Sequence, residues 1–201
     1  DPNSYRTASG APGESYWQMK ADYKIKARLD ETDLRLHGSE WISYHNNSPH
    51  QLSYLWLQLD ENQHSYDSDL RNSNGSNWDP PFMQSTVDQM DIREQYRELG
   101  VNILKVTDAH GRNLSYTING TMMRIDLPEI LAPKAIFKFF IQWNYKIPNR
   151  FTVGGRGGYE LVEEDGNCLF TMAQWYPRMC VYSDFQGWQN KQFTGRAEFA
   201  L

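Results

Sequence analysis

The sequence has few cysteines, no surplus of basic charge and no long apolar run, and each shortage excludes a class of protein. Only Cys168 and Cys180 occur, separated by eleven residues, which is neither a zinc-knuckle spacing nor a CxxC redox pair. Two cysteines are also too few for a disulfide scaffold, so they read first as two buried thiols and second as one disulfide. Lys and Arg number 20 against 25 Asp and Glu, a formal net charge of -5, with the basic residues scattered rather than striped. That distribution gives no track for a phosphate backbone, so nucleic acid is not an expected partner. Apolar runs such as Ala135-Ile136-Phe137 and Phe139-Phe140-Ile141 are cut by Lys138 and Gln142. None approaches the roughly 20 residues of a membrane-spanning helix, so no membrane span is expected. With 14 Gly and 9 Pro in 201 residues there is no linker-type or collagen-like tract either. The sequence opens at Asp1-Pro2 without a basic, apolar leader, so any targeting segment is expected to have been removed or to lie outside this sequence.

Aromatic residues are abundant: 7 Trp, 12 Tyr and 9 Phe. Each can bury on the order of 150–250 Å², so a core is affordable at ordinary overall hydrophobicity and the chain reads as folded. The dominant period is two, the signature of half-buried strands. Tyr23, Ile25, Ala27 and Leu29 alternate with Asp22, Lys24, Lys26 and Arg28; Phe137, Phe139, Ile141, Trp143, Tyr145 and Ile147 do the same farther on. Leu55, Leu57 and Leu59 alternate with Tyr54, Trp56 and Gln58, a pattern expected for a central strand covered on both faces. From 101 to 127 the sequence predicts a three-stranded meander whose second turn is Asn119-Gly120, the pair suited to two positive φ angles.

The stretch from Asp60 to Leu99 is different: rich in Asn, Ser and Asp, broken by Asp79-Pro80-Pro81, and weakly helical from Ser85 onward. It reads as one long irregular excursion, and Asn149 to Gly158 as a second irregular segment with a glycine cluster from Gly154 to Gly158. With no internal repeat and no helical crossovers, residues 1–201 read as a single all-β domain. The expected fold is an antiparallel, two-sheet, saddle-like sandwich of eight to twelve strands with an excursion at about 60–100.

Self-contained chemistry is absent. The histidines are His37, His45, His50, His64 and His110, and no HExxH, GxSxG or GxxxxGK occurs. His37 and Glu40 read as a surface pair, since a second histidine is missing. The glycine cluster lacks the strand-turn-helix setting of a dinucleotide site and reads as a tight loop. Glu160, Glu163, Glu164 and Asp165 form an acidic group that reads as a solvated face rather than a glycosidase pair. Asn46, Asn74, Asn113 and Asn119 each begin an Asn-x-Ser/Thr triplet and read as turn residues.

Residues 169–195, LFTMAQWYPRMCVYSDFQGWQNKQFTG, stand apart. Together with YWQMKADYKIKARLD, WISYHNNSPHQLSYLWLQLDEN and FKFFIQWNYKIP, in that order along the chain, the sequence resembles the N-terminal domain of aminopeptidase N-like zinc metallopeptidases. These are gluzincins, and the likeness is to the bacterial branch with a WYPRM motif. The resemblance covers most of the chain, weakly at 65–100.

It implies an antiparallel β domain ahead of a catalytic domain that carries HExxH, a distant Glu ligand and a Gly-x-Met-Glu-Asn segment, none of which occurs in this sequence. It therefore implies a non-catalytic domain with no zinc of its own, zinc belonging to the full-length enzyme. Ala197 to Leu201 would be a strand cut just before the catalytic part. The implied partners are that catalytic domain, in the same polypeptide, and the N-terminus of a peptide substrate. The bacterial branch is often exported, which points to a periplasmic setting.

By resemblance, Gln174 matches the glutamine that holds the substrate α-amine. An amide oxygen accepts a hydrogen bond from an ammonium without burying a second charge. Met172 matches a position beside the pocket for the first side chain, where a soft thioether suits varied apolar groups. The interval from Gln174 to Arg178 is one residue shorter than in the better-known members. Read without the family, Gln174 is an interior glutamine bonded to backbone, Met172 a core residue, and Trp175, Tyr176 and Trp188 packing aromatics. Arg178 then makes a structural ion pair with Asp184. The competing functional class is a free-standing β-sandwich module that binds carbohydrate or protein through surface aromatics.

Overall fold

The computed structural model describes residues 3–65, 68, 97–153 and 157–193. The weakly helical piece from Ser85, the Asn74 triplet, most of the glycine cluster and the terminal segment Ala197 to Leu201 lie outside the described residues.

Alternation of apolar and polar residues sorts the strands into two layers. The first sheet contains β1 (Lys20–Asp30), β2 (Arg35–His45), β4 (Asn102–Asp108) and β7 (Ile136–Lys146), in the order β1-β2-β7-β4. The second contains β3 (Leu52–Gln58), β5 (Tyr116–Asn119), β6 (Met122–Leu131) and β10 (Arg178–Met179), in the order β10-β3-β6-β5. Two small ribbons complete it: β8 (Gly158–Val162) with β9 (Asn167–Thr171), and β11 (Tyr182–Ser183) with β12 (Gly187–Trp188). All strand pairs are antiparallel and the sheets do not close into a barrel, so the all-β expectation holds.

The core lies between the two sheets. Ile42, Phe139, Ile141, Trp143 and Tyr145 from the first layer pack with Leu55, Leu57, Met123 and Ile125 from the second, all essentially without solvent contact. Because strand side chains alternate, each of these residues is two from the next on its own strand. Gly38 shows how tight the layer is: the Trp143 ring occupies the space a Cβ would need. On the outer face β1 carries Lys20, Lys24, Lys26 and Arg28 along a sheet edge, an arrangement that discourages pairing with another chain.

Three local expectations are corrected. The segment from 101 to 127 is not a continuous meander: β4 pairs with β7 in the first sheet, while only β5 and β6 form a hairpin in the second. The hairpin turn sits one residue later than expected, with Asn119 opposite Met122 and Gly120 alone taking a positive φ, 54°. Gln192 explains the shift, because its Oε1 accepts from the Thr121 backbone N–H at 2.7 Å and its Nε2 donates to the Asn119 carbonyl at 2.8 Å. Third, Glu40 is no surface residue. It shares the inward face of β2 with Leu36, Ile42 and Tyr44, is 0% exposed, and neither carboxyl oxygen has a partner among the described residues.

The cysteines are unbonded, Cys180 buried and Cys168 exposed, so neither the disulfide nor the pair of buried thiols is found. Asn46, read from the sequence as a turn residue, follows β2 as a buried latch: its Nδ2 donates to the carbonyls of His50, Leu131 and Ala132 at 2.7, 3.1 and 3.1 Å.

Candidate functional site

The segment from Met172 to Arg178 leaves β9, bends repeatedly, and joins β10. Its downstream end is firmly fixed. Arg178 and Met179 pair with Gln58 and Leu57 of β3; Met179 N–H donates to the Tyr23 hydroxyl at 2.8 Å, and Cys180 N–H donates to the Trp56 carbonyl at 2.8 Å. Arg178 Nε donates to Asp60 Oδ2 at 2.9 Å, and Asp60 is buried. The expected partner, Asp184, is instead held by Arg6 through two contacts of 2.8 Å. Arg178 reaches Asp60 because β10 lies against the strand that ends just before it.

Aromatic contacts hold the middle of the segment. Trp175 lies 6.1 Å from Trp143 and 5.1 Å from Tyr176, and Tyr176 meets Tyr23 edge-on at 5.5 Å. Trp188 stacks on Tyr44 at 6.0 Å. All three rings are half-buried and pack, as read from their frequency alone. Met172 is half-buried against the core. Gln174, also half-buried, adopts φ 54°, a left-handed conformation that glutamine rarely takes unless its surroundings impose it. Thus the residues flanking Gln174 are anchored while its own backbone turns sharply between them.

A carboxyl that the sequence reading did not single out lies beside this turn. Glu61 sits in the 3₁₀ turn Asp60–His64 that follows β3 and is buried. Its Oε1 and the Thr171 carbonyl both lie near the α-carbon of Gly157, each 3.8 Å from where a Cβ would be, which places Glu61 at the end of β9. Burial, and then the neighbouring Asp60 charge, push its carboxyl up to about 8. The Tyr145 hydroxyl is buried too, without a partner among the described residues, and the Glu61 charge helps push it upward, second to burial. Two acids directly after an apolar strand, in Leu59-Asp60-Glu61-Asn62, were the available signal.

The β8–β9 ribbon that delivers the turn carries exposed leucines on both faces. Leu161 pairs with Cys168 and Leu169 with Glu160, so the two leucines point opposite ways, 53% and 54% exposed. Glu163, Glu164 and Asp165 are exposed at its tip, while Glu160 faces Arg150 at 3.4 Å, so the acidic group forms no facing pair. Among the described residues no group of three or more His, Cys, Asp or Glu is placed to hold a metal ion.

No family model matches this sequence, and no curated protein does. Among solved structures, an M1 zinc metallopeptidase mutant from Deinococcus radiodurans is similar at 10% identity and a TM-score of 0.41, over 75% of this chain. The same figures hold for that mutant bound to a Tyr-Ser-Ala substrate. A two-domain M1 zinc metallopeptidase mutant bound to L-tryptophan is similar over 86% of the chain, again at 10% identity and 0.41. The chain spans 25%, 26% and 28% of those three structures' own lengths.

Proposed function

We propose that this chain is the N-terminal, non-catalytic domain of a zinc-dependent aminopeptidase. It would pack against the catalytic domain of the same polypeptide and present Gln174 to the α-ammonium of a peptide substrate, with Met172 beside the first side chain. The observation that carries the reading is the Thr171 to Arg178 segment. The resemblance assigns it the amine-binding turn, and here a left-handed Gln174 is set between a fixed β10 and packed aromatics. A side chain that must meet a ligand in one orientation needs such fixed flanks, because freezing it on binding would consume affinity.

Glu61 adds to that support. Burial and the Asp60 charge disfavour the ionised Glu61 carboxyl, and an ammonium beside it would favour that form. Leu161 and Leu169 fit a surface covered by another body, since a two-stranded ribbon is marginal alone and apolar on both sides. The zinc chemistry belongs to the proposed catalytic domain, and no step of it is assigned to these residues.

Two measurements test the reading. The reading frame beyond Leu201 should encode HExxH within a few hundred residues; an immediate stop codon would remove the catalytic partner. In the full-length enzyme Gln174→Ala should lower kcat/KM for peptides with free N-termini by about 10- to 100-fold, the range of one hydrogen bond to a charged group. Unchanged kinetics would take Gln174 out of the site.

A further inference from the structure

The outward face of the first sheet gathers basic charge that is scattered along the sequence. Strand alternation and register put Lys20, Lys24, Lys26 and Arg28 of β1 on that face. Arg35 of β2, Lys138 and Lys146 of β7 and Lys105 of β4 join them. These are eight of the chain's 20 Lys and Arg, whereas Asp22 and Asp30 are the two of its 25 Asp and Glu that the four strands turn outward. A chain of net charge -5 thus carries one strongly positive face.

Half of these cations are already engaged. Lys20 meets Asp22 at 2.8 Å, Arg28 meets Asp30 at 2.9 Å, Arg35 donates to Asn144 Oδ1 at 2.9 Å, and Lys146 bonds Glu98 at 2.7 Å. Lys24, Lys26, Lys105 and Lys138 are exposed, with neither an ion pair nor a hydrogen-bond partner among the described residues.

These four surround an aromatic pair. Trp41 on β2 is 43% exposed and lies opposite Lys24 on one side and Phe140 on the other, its ring centroid 5.3 Å from that of Phe140. In the next row Lys26, Ser39, Gln142 and Lys105 face one another across all four strands, which at about 4.8 Å per strand spreads the charge over about 14 Å. Lys138 lies two residues from Phe140 in the opposite direction along β7. Protection of sheet edges accounts for lysines on β1 and β4, the edge strands, but not for Lys138 or for aromatic rings on the two interior strands.

We infer that this face docks on an anionic lipid surface. Charge complementarity calls for many negative groups, and the spread of the lysines calls for a plane of them. Cations at both edges and in the middle of a four-stranded face match a layer of headgroups, whereas a single polymer strand neutralises charges set in a line. Trp41, amphipathic and central, suits the depth of the headgroups, where Trp is enriched. The acidic remainder of the chain is no obstacle, because charges beyond a Debye length of about 10 Å are largely screened at 0.1 M salt. No segment has to enter the hydrocarbon, so the contact is peripheral and reversible. The face shares no residue with the proposed amine-binding turn and does not depend on this chain belonging to an aminopeptidase.

The probes are unilamellar vesicles of phosphatidylcholine with about 30% phosphatidylglycerol, and vesicles of phosphatidylcholine alone. At about 0.1 M salt the full chain should co-sediment with the anionic vesicles and not with the neutral ones, and about 0.5 M salt should release it. The double variants Lys24→Gln with Lys26→Gln, and Lys105→Gln with Lys138→Gln, should each lower the partition coefficient by about 25-fold, or about fivefold per lysine. Lys191→Gln, an exposed site outside the sheet, should change it by less than about twofold. Tryptophan emission should shift to shorter wavelength on binding, and Trp41→Ala should remove most of that shift. Thermal melts establish that the variants are folded. The inference is overturned if neutral vesicles bind as well as anionic ones, if the folded lysine variants keep the parent partition, or if Trp41→Ala keeps the emission shift. It is overturned in favour of nucleic acid if single-stranded oligothymidylate binds more tightly than the vesicles at equal phosphate concentration.

Discussion

Glu40 is where a single residue most affects how the domain responds to its medium. It sits on the inward face of β2, opposite Ile25 and Ile141, with no donor among the described residues, and burial pushes its carboxyl up to about 8. Glu61 is raised to a similar value. In the unfolded chain both ionise near pH 4.5, so between about pH 4.5 and 8 the folded state holds protons that the unfolded state has released. Stability therefore falls as pH rises through that interval, by up to about 1.4 kcal/mol per pH unit for each such group. Thermal unfolding from pH 5 to 8 should show Tm dropping steadily, and Glu40→Gln should remove close to half of the slope. An unchanged slope in the variant would show that Glu40 is ionised in the fold. The signal for this burial lies in the period-two set Leu36, Gly38, Glu40, Ile42 and Tyr44, which outweighs the surface pair suggested by His37 three residues earlier.

Among the elements, the strands differ sharply in how well they are covered. β2 and β7 pair along their whole lengths and contribute the buried Ile42, Phe139, Ile141 and Trp143. The β8–β9 ribbon is paired within itself and otherwise held by a single bridge from Tyr159 to Asn149, and it exposes leucines on both faces. Local opening follows coverage, so amide exchange in Tyr159 to Leu169 should run at least 100-fold faster than at the centre of β2 and β7 in the chain alone. Equal protection would mean the ribbon is part of the cooperative core. Strand identity was readable here because alternation marks a strand whatever it pairs with. Pairing was not, and β4 shows why: its neighbours in sequence form a hairpin, yet its buried Val106 side faces the core from the other sheet, beside Ile141. The Asn119-Gly120 turn failed for a related reason, since Gln192, seventy-odd residues on, supplies the bonds that fix where the chain reverses.

At the scale of the whole molecule, the sheets are closed by long-range pairs. Arg35 lies opposite Lys146, and Gln58 opposite Arg178, each joining positions more than about a hundred residues apart. Such loops must be closed before their contacts stabilise anything, so refolding should take milliseconds to seconds, measured by stopped-flow tryptophan fluorescence after dilution from denaturant. A main phase in microseconds would contradict this topology. The same long-range closure assembles the candidate site, because Asp60 and Glu61 follow β3 while Gln174 precedes β10, and only the β3–β10 pairing brings them to one end of the domain.

The sequence by itself determined that the fold is all-β and which residues alternate into its core, while Gln174 stands out in it only through the family resemblance. These are local properties, set by the two-residue period of a strand and by short runs of side chains. Tertiary structure alone decided that Glu40 is buried with no donor among the described residues, that Glu61 is buried, and that Arg178 meets Asp60 rather than Asp184. Each of these depends on which distant strands lie side by side, and burial, hydrogen bonding and ion pairing exist only once that arrangement is made.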